Sequence, residues 1–119
     1  MNLSTADFIG GNKMVFPALL LQFGNTYTLH HLISSFSGFI LECITNFNLE
    51  RSVTLIPASL AFISVLHCTI DYFENMLENV PFPTINVPLN SNRITFICQQ
   101  WVENAIVEIA ASGFLSQDF

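Results

Sequence analysis

The sequence predicts an all-α fold, a five-helix bundle packed around a central apolar helix. Between Thr28 and Phe47, apolar residues recur at intervals of three and four, as they do on one buried face of a helix. The segment 52–70 has no charged residue, which is typical of a helix enclosed by other helices. Since 119 residues is about the length of one domain, we expect a single domain over residues 1–112 and a short tail over 113–119.

Two short helices are expected before the long ones. The first spans residues 4–9, where Ser4 can cap the helix and Asp7 lies in its first turn. The second lies within the apolar run 14–23. Breaks between helices are expected at Gly10-Gly11, at Gly24-Asn25, around Glu50-Arg51 and from Pro81 to Asn92.

The central helix is expected to be apolar on both sides. Ala58 and Ala61 are small residues that suit positions where neighbouring helices approach closely. A charge placed at Ala61 should therefore be strongly destabilising. After this helix the chain is expected to return to water at Asp71, Glu74 and Glu78.

The last helix is expected from about Ser91 to Ala111, and Gly113 is placed to stop it. One face is apolar and the other is polar, so the helix should pack against the bundle along one side. The expected buried residues are Ile94, Ile97, Cys98, Trp101, Ala105, Ile106 and Ile109. The expected exposed residues are Gln99, Gln100, Glu103, Asn104 and Glu108.

The composition indicates a chain that leaves apolar surface exposed for a partner, is a piece of something larger, or meets lipid. Hydrophobic residues make up 51% of the sequence and charged residues only 10%, against roughly 25% charged in a typical domain. Apolar surface is therefore expected to remain for another protein, and a homo-oligomer is one option. Three basic residues against nine acidic ones, a net charge of −6, argue against nucleic acid and against an anionic membrane surface.

A membrane span is disfavoured, although segment 52–70 is nearly long enough for one. Its many polar residues and Pro57 suit a helix enclosed by protein better. Cys43, Cys68 and Cys98 are widely spaced, and the N-terminus has no signal-like pattern. A reduced, intracellular chain is expected, with the cysteines as small buried hydrophobic residues.

Three segments and the last helix, with Cys98-Gln99-Gln100 and an apolar stripe ending near Ile106, resemble the second box of D-type cyclins. Residues 4–9, Ser-Thr-Ala-Asp-Phe-Ile, are similar to the family's Thr-Pro-x-Asp-Phe-Ile opening, with Ala6 in place of proline. Residues 39–45 resemble its Phe-x-x-Leu-Cys-Ala-Thr segment. Residues 53–59 begin the next helix at the matching distance but lack the family's paired prolines. The resemblance covers roughly residues 3–108 and implies a cyclin C-terminal domain without the first box.

The resemblance implies a non-enzymatic protein-binding module linked to the cell cycle or to the regulation of cyclin-dependent kinases. Its partner would be such a kinase or a cyclin first box, and its location the nucleus or cytoplasm. The kinase-contacting residues of the family belong to the first box, so none is carried over to this sequence. The alternatives are an unrelated obligate helical interaction or oligomerisation protein and, less favoured, a small membrane protein.

Two histidine-containing pairs are candidate sites. His30-His31 and His67-Cys68 are adjacent in sequence, and adjacent helical residues point about 100° apart. Neither pair can therefore direct both side chains at one metal ion. A thiol nucleophile at Cys68 would need a base brought within hydrogen-bond reach, and nothing local shows one. We expect a partly buried or surface pair for the first and core packing for the second.

The acidic and aromatic residues do not predict a binding site either. Asp71, Glu74 and Glu78 line one helical face without the loop ligands of a cation site, so a solvated face is expected. Trp101 is expected in the core or at a partner. The sequence therefore predicts no catalytic, cofactor-binding or metal-binding residue and no cofactor, and the chain is not expected to be an enzyme.

Overall fold

The chain folds as an antiparallel sheet with two helices, and the expectation of an all-α, cyclin-like bundle is wrong. The computed structural model describes residues 1–10, 14–35, 38–83 and 93–116. Within these residues five strands form one sheet. The strands are β1 (Asn2–Ile9), β2 (Val15–Phe23), β3 (Thr26–Ser35), β4 (Gly38–Phe47) and β5 (Leu55–Val65), and the helices are α1 (Ile70–Asn79) and α2 (Arg93–Ala111).

A tight turn at Gly24-Asn25 explains why the expected second and third helices are strands. Phe23 pairs directly with Thr26, so the turn has two residues. Gly24 has a φ of 62°, which the first position of a type II′ hairpin turn requires and glycine adopts without strain. The Gly-Asn dipeptide is consistent with a break between helices, but between two apolar runs it is also a hairpin signal.

The helical periodicity between Thr28 and Phe47 arises from two strands with apolar residues on both faces. Leu29 and Leu32 are both buried, but they belong to apolar clusters on opposite sides of the sheet. Intervals of three occur in such a strand because every position is available to apolar residues. Phe36, which the helical interpretation placed on the buried face, lies outside the described residues.

The order of strands in the sheet is β4-β3-β2-β1-β5, with every neighbouring pair antiparallel. The chain therefore leaves β4 at one edge and returns as β5 at the other, where Leu3 faces Ser64 and Phe8 faces Leu55. The β1–β5 register shifts near Ser59. There the Ser59 Oγ accepts a 2.7 Å hydrogen bond from the backbone N–H of Asp7. This contact holds the irregular part of β5 against β1.

Both helices lie on one side of the sheet, called the helix face. Leu19 and Leu21 of β2 pack with Trp101 and Ala105 of α2, and none of the four is more than 2% exposed. The last helix is thus confirmed, although Ser91 and Asn92 lie outside the described residues. Its expected faces are also correct, except that Ile106 is only partly buried.

A second apolar cluster lies on the opposite side, called the far face. It contains Ala6, Phe8, Ala18, Leu20, Leu29 and Leu49. Because Leu49 belongs to the connection between β4 and β5, that connection covers part of the far face. The backbone N–H of Ile9 donates a 2.8 Å hydrogen bond to the carbonyl of Thr54, which ties the end of the connection to β1.

The expected central helix is wrong, because residues 55–65 form β5 at an edge of the sheet. Ala58 and Ala61 are exposed there and separate no helices. The destabilisation expected from a charge at Ala61 loses its basis for the same reason. In the part of the chain that the structure describes, no helix has both the length and the apolar character that crossing a membrane requires.

Replacing Phe8 with alanine should lower the free energy of unfolding by about 3–5 kcal/mol, as truncation of a buried phenylalanine does. Phe8 is 0% exposed, and its ring stacks 5.6 Å from that of Phe16. The matched control is Phe96→Ala on α2, where the ring is 69% exposed and the loss should stay within about 0.5 kcal/mol. Urea denaturation of both variants measures the difference. Equal losses would contradict the far-face cluster.

Candidate functional site

Three side chains that are distant in sequence meet on the helix face. His30 on β3 and Cys43 on β4 are direct partners in the antiparallel register, so their side chains point to the same face. Glu74 reaches them from α1. Its Oε1 lies 3.3 Å from His30 Nε2 and 3.4 Å from Cys43 Sγ, and Sγ lies 3.5 Å from Nε2. These three residues are called the His-Cys-Glu cluster.

The structure of α1 places Glu74 in the cluster. Thr69 caps the helix by accepting a 3.2 Å hydrogen bond from the backbone N–H of Tyr72. Phe73 and Leu77 are buried and anchor the helix to the apolar core. Glu74 follows Phe73 and so lies at the border between the buried and exposed sides, with its side chain 37% exposed.

His30 is the buried member of the cluster, with an exposure of 0%. Its ring meets that of Phe73 edge to face at 5.1 Å. Burial lowers the pKa of His30, although the hydrogen bond and the charge of Glu74 act in the opposite direction. A buried imidazole is therefore held in its neutral form. Its Nδ1 is buried and has no hydrogen-bond partner among the described residues.

Cys43 is not an activated nucleophile. Partial burial, followed by the hydrogen bond and the charge of Glu74, raises the pKa of its thiol from 9.0 to about 11. A reactive cysteine needs the opposite, a lowered pKa beside a positive charge. In a catalytic triad the acid also binds the imidazole nitrogen remote from the nucleophile. Here Glu74 and Cys43 both approach Nε2, so the geometry is that of three ligands converging on one point.

The cluster opens into a pocket of about 400 Å³. Glu78 lies one turn after Glu74 on α1 and also lines this pocket. The remaining lining is apolar and comes from Leu41 and Phe82. A solvent molecule or a small ligand can therefore reach the cluster from this side.

The other histidines that the sequence singled out lie elsewhere. His31 follows His30 on β3 and points to the far face, where its Nε2 lies 2.7 Å from Glu42 Oε1. It is buried with 6% exposure, so the expectation of a partly buried or surface pair is wrong. The conclusion that adjacent histidines cannot share a metal ion still holds for this strand, because neighbours point to opposite faces.

The expectation of core packing for the second adjacent pair is wrong for His67, which is exposed and whose Nε2 contacts Ser116 Oγ. Cys68 is partly buried and packs against the core cluster of the helix face. Trp101 is in the core with 1% exposure. Asp71 and Glu78 are exposed as expected, but Glu74 turns towards His30.

Sequence reasoning missed the His-Cys-Glu cluster because its members are far apart along the chain. His30 and Cys43 are 13 residues apart, and Cys43 and Glu74 are 31 apart, which fits no short ligand motif. The usable signal was the hairpin at Gly24-Asn25, which makes the next segment a strand. Pairing of β3 with β4 would then have been needed to bring His30 opposite Cys43.

Alkylation of Cys43 by iodoacetamide, with a chelator present, should be roughly 100-fold slower at pH 8 than that of an unperturbed thiol. Its pKa of about 11 leaves little thiolate at that pH, so the rate should increase about tenfold per pH unit towards pH 11. Mass spectrometry of the Cys43 peptide measures this rate.

The control variant for this measurement is Glu74→Gln, which removes the charge of Glu74 but leaves the burial of the thiol. It should react faster than the wild-type chain and still more slowly than a free thiol. Rapid alkylation of the wild-type chain at pH 7 would contradict the raised pKa.

Comparison with known proteins gives no relative, since no family model, curated protein or solved structure matches the chain. The resemblance to D-type cyclins implies a helical domain, but residues 4–9, 39–45 and 53–59 fall on β1, on β4 and at the start of β5. Only the segment matched to the family's terminal helix is helical, in α2. The expected cyclin-dependent kinase or first-box partner and the expected nuclear or cytoplasmic location came from that resemblance. They stay predictions without structural support.

Proposed function

We propose that the chain is a non-enzymatic protein-binding module that pairs with a second copy of itself through β4. The observation that carries the proposal is the open edge of the sheet at this strand. β4 has ten residues and lies at the end of the strand order, so one side of its backbone has no strand neighbour among the described residues. Such an edge is a template for adding another strand.

The composition of β4 supports pairing rather than protection. Natural edge strands are commonly guarded by lysine, proline or bulges. The opposite edge, β5, has Pro57 and two register shifts. β4 contains no lysine, arginine or proline, and its one register shift, near Asn46 with a φ of 55°, leaves residues 38–44 in regular register. Its one charged residue, Glu42, is hydrogen-bonded to His31. Little in the strand therefore repels a second strand.

Exposed apolar side chains lie beside this edge. Ile40 and Ile44 project from β4 on the far face and are 48% and 37% exposed. If β4 of one copy pairs antiparallel with β4 of a second copy around a two-fold axis, both copies contribute the same surface. Each copy then covers the isoleucines of the other. Their burial favours association in proportion to the apolar area removed from water. The small share of charged residues, 10%, fits a chain whose free surface is reduced by association.

Replacing Ile44 with lysine should weaken self-association by at least about tenfold in Kd, since a charge on the edge opposes strand addition. Sedimentation equilibrium of the wild-type chain should show a dimer, and the variant should shift towards monomer.

The control is Val107→Lys, which adds the same charge on α2, where Val107 is 65% exposed and lies away from β4. This variant should dimerise like the wild-type chain. A wild-type chain that stays monomeric at its highest soluble concentration, or equal weakening by both lysines, would reject pairing through β4.

A further inference from the structure

We propose that His30, Cys43 and Glu74 bind one divalent transition-metal ion, with zinc the best match. Each residue offers one ligand atom, and the three atoms lie within 4.8 Å of one another. The proposal rests on the spacing of these atoms, on the buried His30 and on the chemistry of the donors. It does not depend on the pairing of two copies through β4.

The spacing of the ligand atoms fits a tetrahedral ion. Zinc lies roughly 2.0–2.3 Å from nitrogen, oxygen and sulfur ligands, which places neighbouring ligands of a tetrahedron roughly 3.3–3.8 Å apart. The three ligand atoms lie 3.3, 3.4 and 3.5 Å from one another in the structure. An ion can therefore bind without a large movement of the backbone.

The buried histidine is the second observation that points to a ligand. His30 is 0% exposed, and its Nε2 is aimed at the point where Cys43 and Glu74 converge. A neutral imidazole with Nε2 free to coordinate is a common metal ligand. In this form the ring proton is on Nδ1, which is buried and has no hydrogen-bond partner among the described residues.

The donor set selects the class of ion. Magnesium and calcium prefer oxygen ligands, whereas a thiolate and an imidazole suit zinc and related transition metals. On binding, the Cys43 thiol loses its proton to solvent and forms the metal–sulfur bond, with no change in oxidation state. No oxidant or reductant is needed for this step.

Three protein ligands leave one tetrahedral position, and it faces the pocket that Glu78 lines. Structural zinc sites usually have four protein ligands, and sites with three keep a position for solvent or substrate. A Glu78→Gln variant separates the two cases. Metal affinity should fall if Glu78 is the fourth ligand and should be unchanged if solvent occupies the position.

Cobalt is the probe for the test, because a tetrahedral Co²⁺ ion with a thiolate ligand absorbs strongly in the visible and near ultraviolet. The metal-free chain of 119 residues is titrated with Co²⁺, and Zn²⁺ is then added to displace it. We expect a thiolate-to-cobalt charge-transfer band that saturates at one ion per chain and disappears with zinc. A titration with no such band would overturn the proposal.

Variants then locate the site. Cys43→Ser should abolish the charge-transfer band, and Glu74→Gln should raise the apparent Kd for cobalt more than about tenfold. Both positions are at least partly exposed, and urea denaturation checks that the variants fold. The matched control for Cys43→Ser is Cys68→Ser, and His67→Gln changes a histidine outside the cluster; both variants should bind cobalt like the wild-type chain.

Two outcomes would overturn the assignment of these residues. The band could persist in Cys43→Ser, or it could be lost in Cys68→Ser. The titration is repeated with Ile44→Lys, so a failure of pairing through β4 is distinguished from a failure of metal binding. A band in this variant at the wild-type stoichiometry places the ion within a single chain, whereas its loss would reject the cluster as a complete site.

Discussion

Burial of β2 on both faces is the constraint on which the rest of the structure depends. Leu19 and Leu21 point to one side of the sheet, and Ala18 and Leu20 point to the other. Each buried leucine contributes about 1.5–3 kcal/mol relative to an exposed one, so neither side can be left in water. α2 covers the first side, and the second is covered by Phe8 and its neighbours together with the connection after β4. The packing on both sides of the sheet is therefore required by the burial of this one strand.

The alternation of side chains between the two faces of the sheet also decides which polar side chains meet. His30 and His31 are neighbours on β3 and lie on opposite faces, so each has a glutamate of its own. The partner of His31 comes from the adjacent strand, within the sheet. The partner of His30 comes from α1, so the His-Cys-Glu cluster exists only when the helix has packed on the sheet. A ligand of this cluster therefore binds the folded chain and stabilises it through linkage.

The sequence predicted α2 well and the strands poorly, for one physical reason. α2 has a polar face and an apolar face, and its Gly113 stop has a φ of 82°. Its pattern therefore fits a helix only. β2 and much of β3 are apolar on both faces, which removes the alternation that identifies a half-exposed strand. Pairing over long distances then decides the structure, and a single sequence does not show which strand will lie beside which.

The position of β1 between β2 and β5 has a consequence for folding kinetics. The amino group of Met1 donates a hydrogen bond to the carbonyl of Leu66, 65 residues away, whereas β2, β3 and β4 form hairpins with their neighbours in sequence. Closing the large loop to β5 costs more chain entropy than closing a hairpin, so this pairing is expected to form late. During synthesis β1 leaves the ribosome before the other four strands and waits longest for its second neighbour, β5. In that interval the outer edge of β1 is open to other chains, so of the five strands β1 is the one most exposed to misassembly.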